Sequence, residues 1–393
     1  MFTGCSTYWK NTGAFNDMPW KEQRRFTLHM LRDLGFGKTR MEQHMKEEIL
    51  ELMNILVKNE GKPVSLSDLL ASSMSNNVAS LVFGKRMEFN DPQRQKLNRT
   101  IGDVGRFAGV VAWHIYFPWL KTFFDTFNIG NKGKLLRSLM AMKEFCRKEI
   151  ESHESTLDPN NIRDFMDGFI VEMQKKKNDP NTTFQKEVLV DLSRLLFGAG
   201  SETVRVTLDW MLLTCVSRPE VQKRIQAEID KVIGQERFPT WQDHVNMPFT
   251  EAALTEIMRW KSIVPLNVMH YTLRDTELNG FFIPKHTHVL SILWAVNYNE
   301  KLWGSDVNEY KPERFLSDDG KKVVKPEYTI TFSVGKRACP GKILAEIETF
   351  LYLVAILQKF ELSVPPGEKI SLVGKLGTTL QPPKQDLCLK LRH

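Results

Sequence analysis

The sequence contains no long apolar run. Its 393 residues hold no uninterrupted hydrophobic stretch of the roughly 18 to 20 residues that cross a bilayer, and no signal peptide opens the chain. Internal repeats, low-complexity tracts and linkers rich in proline, glycine or serine are also absent. With 42% hydrophobic and 26% charged residues, the composition is globular. The length alone allows two or three domains, but no linker marks a boundary between them.

Cysteine is scarce and scattered. The five cysteines, Cys5, Cys146, Cys215, Cys339 and Cys388, show no C-x-x-C spacing. This pattern argues against a disulfide framework or a cysteine zinc site and favours a reducing compartment. There is also no nucleic-acid-binding or nucleotide-binding motif. The net charge of +7 indicates either a solvated basic surface or one that meets an acidic protein or anionic lipid.

One cysteine lies in a segment that favours a thiolate, Phe332–Gly341. Gly335 and Gly341 permit backbone shapes that a side chain would forbid, so that amide groups can turn toward the sulfur of Cys339. Adjacent cations and the start of a helix lower the pKa of a thiol. Pro340 suits the first turn of that helix. The alternative is a buried structural cysteine, the commoner role of a lone thiol.

The same segment resembles the haem-binding signature of the cytochromes P-450, F-x-x-G-x-R-x-C-x-G, at every fixed position. The resemblance implies that Cys339 is the iron ligand of haem b (iron protoporphyrin IX). Phe332, Arg337 and Gly341 would form the surrounding cofactor-binding turn. Arg337 can donate a bidentate fork to an anionic group of the cofactor.

Helical periodicity dominates the chain. Helices are predicted over residues 66–83, 93–107, 134–154, 161–176, 186–217, 219–233, 250–261 and 341–360. Asn279-Gly280 predicts a hairpin between residues 276–278 and 281–283, and residues 288–293 are a candidate buried strand. The predicted class is mainly α (α+β), helix-rich with a small late β-sheet. The resemblance implies the cytochrome P-450 fold.

The start of the chain resembles an internal part of that family. Trp20–Phe26 is similar to the W-x-x-x-R helix, which in full-length microsomal members follows a membrane anchor and the first sheet strands. The resemblance therefore implies an N-terminally shortened member that lacks the anchor and those strands. Residues 1–12 have no clear counterpart, and residues 13–393 are predicted to be a partial haem domain.

A second motif lies inside the predicted helix 186–217. Ala199-Gly200-Ser201-Glu202-Thr203 resembles the family's oxygen-activation motif, [AG]-G-x-[DE]-T-[TS]. The resemblance implies that Thr203 contacts dioxygen and that Glu202 helps to deliver protons. Val204 departs from the pattern, which has a hydroxyl residue at that position. The alternative is a glycine-flexed helix with an exposed glutamate.

A third set of charges would support the haem pocket. Glu256 and Arg259 are three residues apart on one predicted helix, so they can pair. An exposed pair of this kind contributes only about 0–1 kcal/mol and is common. Together with Arg314 in Pro312-Glu313-Arg314-Phe315, they resemble the family's E-x-x-R and P-E-R-F elements. The resemblance implies a structural charge cluster.

Further residues are assigned by resemblance. Trp20, Arg24, His270 and Arg337 carry donors suited to the haem propionates, and the alternative for His270 is a structural histidine. The predicted substrate pocket is apolar with a few hydroxyls, as in many buried cores. Its predicted lining residues are Phe197, Ala199, Val264, Leu266, Val268, Leu376 and Thr378.

These resemblances imply a haem-thiolate monooxygenase that inserts one oxygen atom from O2 into a lipophilic small molecule. Electrons would come from NADPH–cytochrome P-450 reductase, with cytochrome b5 as a further donor. The family resemblance places the protein at the cytoplasmic face of the endoplasmic reticulum membrane. The alternatives are a haem-thiolate isomerase or dehydratase that works without reductase, and a non-catalytic truncated product.

Overall fold

The computed structural model describes residues 17–35, 39–89, 91–107 and 130–392, and these form two compact units. The first unit contains the described residues up to Arg205, together with residues 343–348 and 384–391. The second contains residues 206–342, 349–383 and 392.

The first unit is built from helices. In chain order they are α1 (Asp17–Asp33), α2 (Thr39–Lys58), α3 (Leu66–Phe83), α4 (Pro92–Phe107), α5 (Gly130–Thr156), α6 (Phe165–Lys175) and α7 (Lys186–Ser217), whose last residues belong to the second unit. Helix α4 packs along α5, and α2 packs along α3. Strand β1 (Pro63–Val64) pairs antiparallel with β9 (Leu387–Leu391), and Val64 lies opposite Leu387.

Aromatic rings fill the core of the first unit. Phe26 meets Phe165, Phe169 and Phe184 edge to face, with ring centroids 6.2, 5.5 and 5.1 Å apart, respectively. Such edge-to-face pairs add about 0.5–1.5 kcal/mol each beyond the burial of their area. The core therefore fixes α1 against α6 and the start of α7.

The second unit combines helices with short strands. Its helices are α8 (Pro219–Val232), α9 (Pro248–Lys261), α10 (Leu293–Asn297), α11 (Glu300–Trp303) and α12 (Lys342–Lys359), of which residues 343–348 belong to the first unit. Its 3-10 turns are Trp241–Asn246, Pro312–Phe315 and Gly335–Arg337. Its strands are β2 (His270–Tyr271), β3 (Thr276–Leu278), β4 (Phe281–Ile283), β5 (His288–Val289), β6 (Phe360–Ser363), β7 (Lys375–Leu376) and β8 (Leu380–Gln381).

The predicted hairpin is confirmed. Strand β3 pairs antiparallel with β4, and Leu278 lies opposite Phe281. Asn279 and Gly280 both have positive φ, 51° and 82°. A two-residue hairpin loop with positive φ at both positions suits asparagine followed by glycine, because these two residues adopt that conformation at least cost.

The predicted buried strand over residues 288–293 is wrong. Strand β5 spans only His288–Val289 and pairs with β2, whereas Leu293 begins α10. Leu290 and Ile292 are 43% and 46% exposed. A short apolar run does not by itself distinguish a strand from the approach to a helix.

Helix α2 was not among the predicted helices, although its sequence carries the signal. Met45, Ile49, Leu52 and Leu56 recur at intervals of three or four residues and are all buried. That spacing places them on one face of the helix.

A buried histidine–aspartate pair ties α5 to the start of α6. His153 Nε2 lies 2.9 Å from Asp164 Oδ2, and His153 Nδ1 lies 2.6 Å from the Glu149 carbonyl oxygen. Because a carbonyl only accepts, Nδ1 carries a proton, and Nε2 needs a second one to donate to the carboxylate. Burial lowers the pKa of His153, but the hydrogen bond and charge of Asp164 outweigh it, so the pKa is raised.

Replacing His153 should therefore destabilise the protein in a pH-dependent way. A raised folded-state pKa gives a stabilisation that is fully present below the unfolded-state pKa of about 6.5 and fades as the pH rises through the folded-state pKa. His153→Gln should lower the free energy of unfolding by about 3 kcal/mol near pH 6 and by less near pH 9, measured by denaturant titration. Exposed His29→Gln is the control, and an equal loss at both pH values would contradict the imidazolium assignment.

Candidate active site

The turn that carries Cys339 is closed by backbone hydrogen bonds. The Cys339 amide donates to the Phe332 carbonyl at 2.9 Å, and the Ala338 amide donates to the Gly335 carbonyl at 3.1 Å. Ser333 and Gly335 have positive φ, 60° and 74°. The backbone therefore doubles back, and the Cys339 side chain is exposed.

Cys339 differs from the other described cysteines. Cys146 and Cys215 are buried, and Cys388 is partly buried in β9. Burial raises the pKa of the Cys146 thiol to about 12 and also raises that of Cys215. A thiol must ionise to bind a metal, so neither buried thiol is suited to ligate iron. Cys5 lies outside the described residues.

Two predicted details of this turn are wrong. Helix α12 begins at Lys342 with Gly341 as its N-cap, so Pro340 lies before the first helical turn. Gly341 has φ −93° and ψ 11°, and a Cβ on it would lie in ordinary contact with Cys339 Sγ, at 3.9 Å. Its backbone conformation therefore does not require glycine, whereas that of Gly335 does.

Two other signature residues flank the thiol. Phe332 is partly buried, and Lys342 Nζ lies 6.0 Å from its ring centroid. Arg337 ends the 3-10 turn and is exposed. The turn thus presents a thiol, an aromatic ring and a guanidinium group, which is a donor set that suits iron and the carboxylates of a porphyrin.

Asn267 supports the turn and was missed by the sequence analysis. Its Nδ2 donates to Ser333 Oγ at 3.3 Å and to Ser291 Oγ at 2.8 Å. Asn267 itself has φ 53°, a conformation that asparagine tolerates better than most residues. A lone asparagine carries no spacing pattern, so the sequence offered no signal for this contact.

The predicted charge cluster is assembled inside the second unit. Arg259 Nε and Nη2 donate to the two Glu256 carboxylate oxygens at 2.6 and 2.8 Å. Arg259 also donates to the carbonyl oxygens of Asn297, Val307 and Glu309, at 2.8, 3.0 and 3.1 Å. Glu256 and Arg259 are both fully buried. A buried charge is tolerated only with such partners.

Arg314 completes the cluster. Its Nε lies 3.4 Å from Glu256 Oε1, and its Nη1 donates to Asp306 Oδ1 at 2.6 Å. The Lys311 amide also donates to Glu256 Oε1, at 2.9 Å. Hydrogen bonds from Lys311 and Arg314 lower the pKa of Asp306 to about 2. The cluster therefore links α9 to the segment that leads toward the cysteine turn.

Arg259→Lys should fail to replace arginine here, because a lysine ammonium cannot present the planar five-donor fork. We expect a loss of about 3–5 kcal/mol in the free energy of unfolding, typical of a broken buried pair. Denaturant titration measures it, with haem content recorded in parallel. Glu313→Gln, which breaks the exposed pair of Glu313 with Arg224, is the control and should change stability by less than about 1 kcal/mol. A similar small change for Arg259→Lys would contradict this account.

The oxygen-activation motif lies on an unbroken helix. Helix α7 continues through Gly200, where a Cβ would lie 3.0 Å from Val78 Cγ2, so the glycine allows α3 to approach closely. Thr203 Oγ1 donates to the Ala199 carbonyl at 2.9 Å. Glu202 is only 8% exposed, so the alternative of an exposed glutamate is wrong.

One predicted pocket residue lies in the core instead. Phe197 is 1% exposed, and its ring centroid is 5.2 Å from that of Phe83. The accessible side of this helix carries Leu195, Ala199 and Thr203, which recur every four residues. Phe197 is two residues from Ala199 and so faces the opposite side of the helix.

The remaining predicted site residues are divided between the two units. In the first unit, Arg24 Cζ lies 5.7 Å from the Trp20 ring centroid, one helical turn away on α1. In the second unit, His270 is exposed on β2. The other predicted pocket residues of the second unit are half-buried Val264 and exposed Leu266, Val268, Leu376 and Thr378.

Comparison with known proteins identifies the family. The sequence model of the family Cytochrome P450 matches residues 1–389. The chain is 35% identical over 385 residues to Cytochrome P450 18a1 of Drosophila melanogaster, covering 95% of this chain and 71% of that protein. It is 36% identical over 375 residues to Cytochrome P450 2J5 of Mus musculus, covering 95% of this chain and 73% of that protein. It is 35% identical over 371 residues to Cytochrome P450 2J2 of Homo sapiens, covering 94% of this chain and 72% of that protein.

The chain therefore belongs to the cytochrome P-450 family, and the predicted fold class is confirmed. It is a haem-thiolate monooxygenase, an oxidoreductase whose cofactor is haem b held by a cysteine thiolate. Within the described residues, no helix is long and apolar enough to cross a membrane.

Proposed function

We propose that Cys339 is the thiolate ligand of the haem and that the protein oxidises a lipophilic small molecule. The observation that carries the assignment is the exposed thiol on a turn closed by the Phe332–Cys339 backbone hydrogen bond. The buried thiols of Cys146 and Cys215 cannot ionise readily. The match of residues 332–341 to the family signature supports the same choice.

The accessible surfaces near the motifs support a lipophilic substrate. In the first unit, the accessible side of α7 presents Leu195, Ala199 and Thr203, which are apolar except for one hydroxyl. In the second unit, Leu266 and Val268 are 41% and 68% exposed. Apolar walls with few polar groups bind lipophilic molecules and exclude water from the reaction.

The haem, when bound, supplies the activation of dioxygen and the insertion of one oxygen atom into the substrate. In this mechanism the chain's own groups hold and orient it. Cys339 provides the thiolate, and the signature residues Phe332, Arg337 and Gly341 surround it. Trp20, Arg24, His270 and Arg337 would hold the haem propionates through hydrogen bonds that they donate.

Proton delivery is the role proposed for the acid–alcohol pair. The Thr203 hydroxyl donates to the Ala199 carbonyl, and a hydroxyl oxygen can accept a hydrogen bond while it donates one. The Glu202 carboxylate belongs to the residue directly before Thr203 and can hold a proton at Oε1 or Oε2. Glu256, Arg259 and Arg314 keep the segment before the cysteine turn in place.

The electron donor proposed for this enzyme is NADPH–cytochrome P-450 reductase, with cytochrome b5 as a further donor. The resemblance of residues 20–26 and of the later motifs to microsomal members of the family supports the endoplasmic reticulum membrane, at its cytoplasmic face, as the proposed location. The net charge of +7 suits an acidic protein partner or an anionic membrane surface. A requirement for NADPH and reductase distinguishes this reaction from the isomerase or dehydratase alternative.

Cys339→Ala should abolish thiolate ligation. Reduced protein with carbon monoxide should show the strongly red-shifted Soret band of thiolate-ligated haem, and Cys339→Ala should lose it. Cys146→Ala, Cys215→Ala and Cys388→Ala are the controls and should keep the band. Retention of the band in Cys339→Ala would overturn the assignment.

Thr203→Ala should keep haem and substrate binding while diverting reducing equivalents to peroxide. We expect the ratio of product formed to NADPH consumed to fall by roughly a hundredfold or more, the range that a lost proton-transfer group covers. Ser201→Ala is a matched control, because Ser201 Oγ makes the same type of bond to a carbonyl four residues earlier, at 2.7 Å. An unchanged ratio in Thr203→Ala would show that the threonine has no role in proton delivery.

A further inference from the structure

The carboxylate proposed to deliver protons is held by a guanidinium group one helical turn away. Arg205 Nη2 donates to Glu202 Oε1 at 2.7 Å, and Arg205 Nε donates to Glu202 Oε2 at 3.1 Å. Both side chains are only 10% exposed. A bidentate pair of this kind fixes both the position and the plane of a carboxylate.

The guanidinium group is itself held from a second helix. Arg205 Nη1 donates to Ser67 Oγ at 2.8 Å, and Ser67 lies in the first turn of α3. The next residue, Asp68, is exposed and pairs with Lys384 at 2.8 Å. Burial raises the pKa of Asp68, but hydrogen bonds from Lys384 and Ser65 and the charges of Lys384 and Arg205 outweigh it, so the pKa is lowered.

A third helix covers the carboxylate. A Cβ on Gly105 of α4 would lie 2.7 Å from Glu202 Oε1, so the α4 backbone at this glycine packs directly on the acid. The Glu202 side chain thus lies between its own helix and α4, and its cationic partner is held from α3. Because α4 leaves little room beside Glu202, the two hydrogen bonds from Arg205 determine the orientation of its carboxylate.

We infer that Arg205 is a positioning residue that holds the Glu202 carboxylate in place and correctly oriented beside Thr203. This inference rests on the proposed proton-delivery role of Glu202. Arginine stays protonated throughout the physiological range, so its planar fork can donate to both carboxylate oxygens at every pH in that range. The signature that identified Glu202 and Thr203 ends at Val204 and does not include Arg205.

The first test needs no turnover. The infrared difference spectrum between the resting haem forms of Arg205→Gln and the wild type should show shifted carboxylate stretching bands, because both Glu202 oxygens lose the donors of the guanidinium fork. The shifted bands should be missing from the spectrum of the Arg205→Gln/Glu202→Gln double variant. A spectrum of Arg205→Gln identical to that of the wild type would overturn the inference.

The second test is the ratio of product to NADPH consumed in the reductase-supported reaction. Arg205→Gln should lower that ratio by roughly tenfold, since a displaced catalytic group costs about this much or more. Arg205→Lys, which keeps a charge but loses the fork, should give an intermediate ratio, and Ser67→Ala a smaller decrease than Arg205→Gln. Absorption spectra establish haem retention in each variant. If Arg205→Gln does not retain haem, Arg205→Lys decides, and a wild-type ratio and spectrum there would overturn the inference.

The same helix offers a matched control. Arg194 is 8% exposed, and its Nη2 lies 3.5 Å from Asp191 Oδ1, with the acid again three residues before the arginine. Arg194→Gln removes a buried arginine without touching Glu202 and should keep the wild-type ratio. A decrease equal to that of Arg205→Gln would show a merely structural effect and overturn the inference.

Glu202→Gln separates the two hypotheses. If it lowers the ratio while Arg205→Gln does not, the positioning role fails and the proposed proton-delivery role stands. If Glu202→Gln keeps the wild-type ratio, the proton-delivery role fails, and the positioning role fails with it. Assignment of Cys339 is unaffected by either result.

Discussion

The burial of charge at Arg259 is the constraint on which the order of the second unit depends. A guanidinium group with no exposure is tolerated only when its donors are matched, and here one carboxylate and three carbonyl oxygens match them. Those carbonyls lie between residues 297 and 309, so satisfying one side chain fixes the path of a long irregular segment. Arg314 and the Lys311 amide share Glu256 and extend the same constraint toward the cysteine turn.

The other buried carboxyl groups show how the pKa changes when no cation lies beside the carboxyl. Glu202 and Asp164 each face a cation at hydrogen-bond distance. Glu348 is also fully buried but receives one amide donor, from Asn77 at 2.8 Å, and burial raises its pKa to about 8. A buried carboxyl takes a fixed position when a cation donates to both of its oxygens, as Arg205 does to Glu202.

Motif and periodicity predicted much of this molecule, because both report on local physics. The bounds of helices 66–83 and 186–217 and the Asn279-Gly280 hairpin follow from apolar spacing and turn chemistry. Contacts between distant segments were not predictable, such as the Asn267 support of the cysteine turn. Phe197 faces the opposite side of its helix from Ala199, which follows from helix geometry. A motif match alone does not say which side of a helix a neighbouring residue faces. Gly341 has a negative φ, so a glycine that a family signature requires does not always have the positive φ that only glycine adopts easily.

The central claim is that the thiolate of Cys339 is bound to iron, and X-ray absorption at the iron edge tests it most directly. The haem protein should show a single sulfur among the atoms bound to iron, and Cys339→Ala should show only nitrogen or oxygen ligands. A sulfur neighbour that persists in Cys339→Ala, or an iron without sulfur in the wild-type protein, would contradict the account.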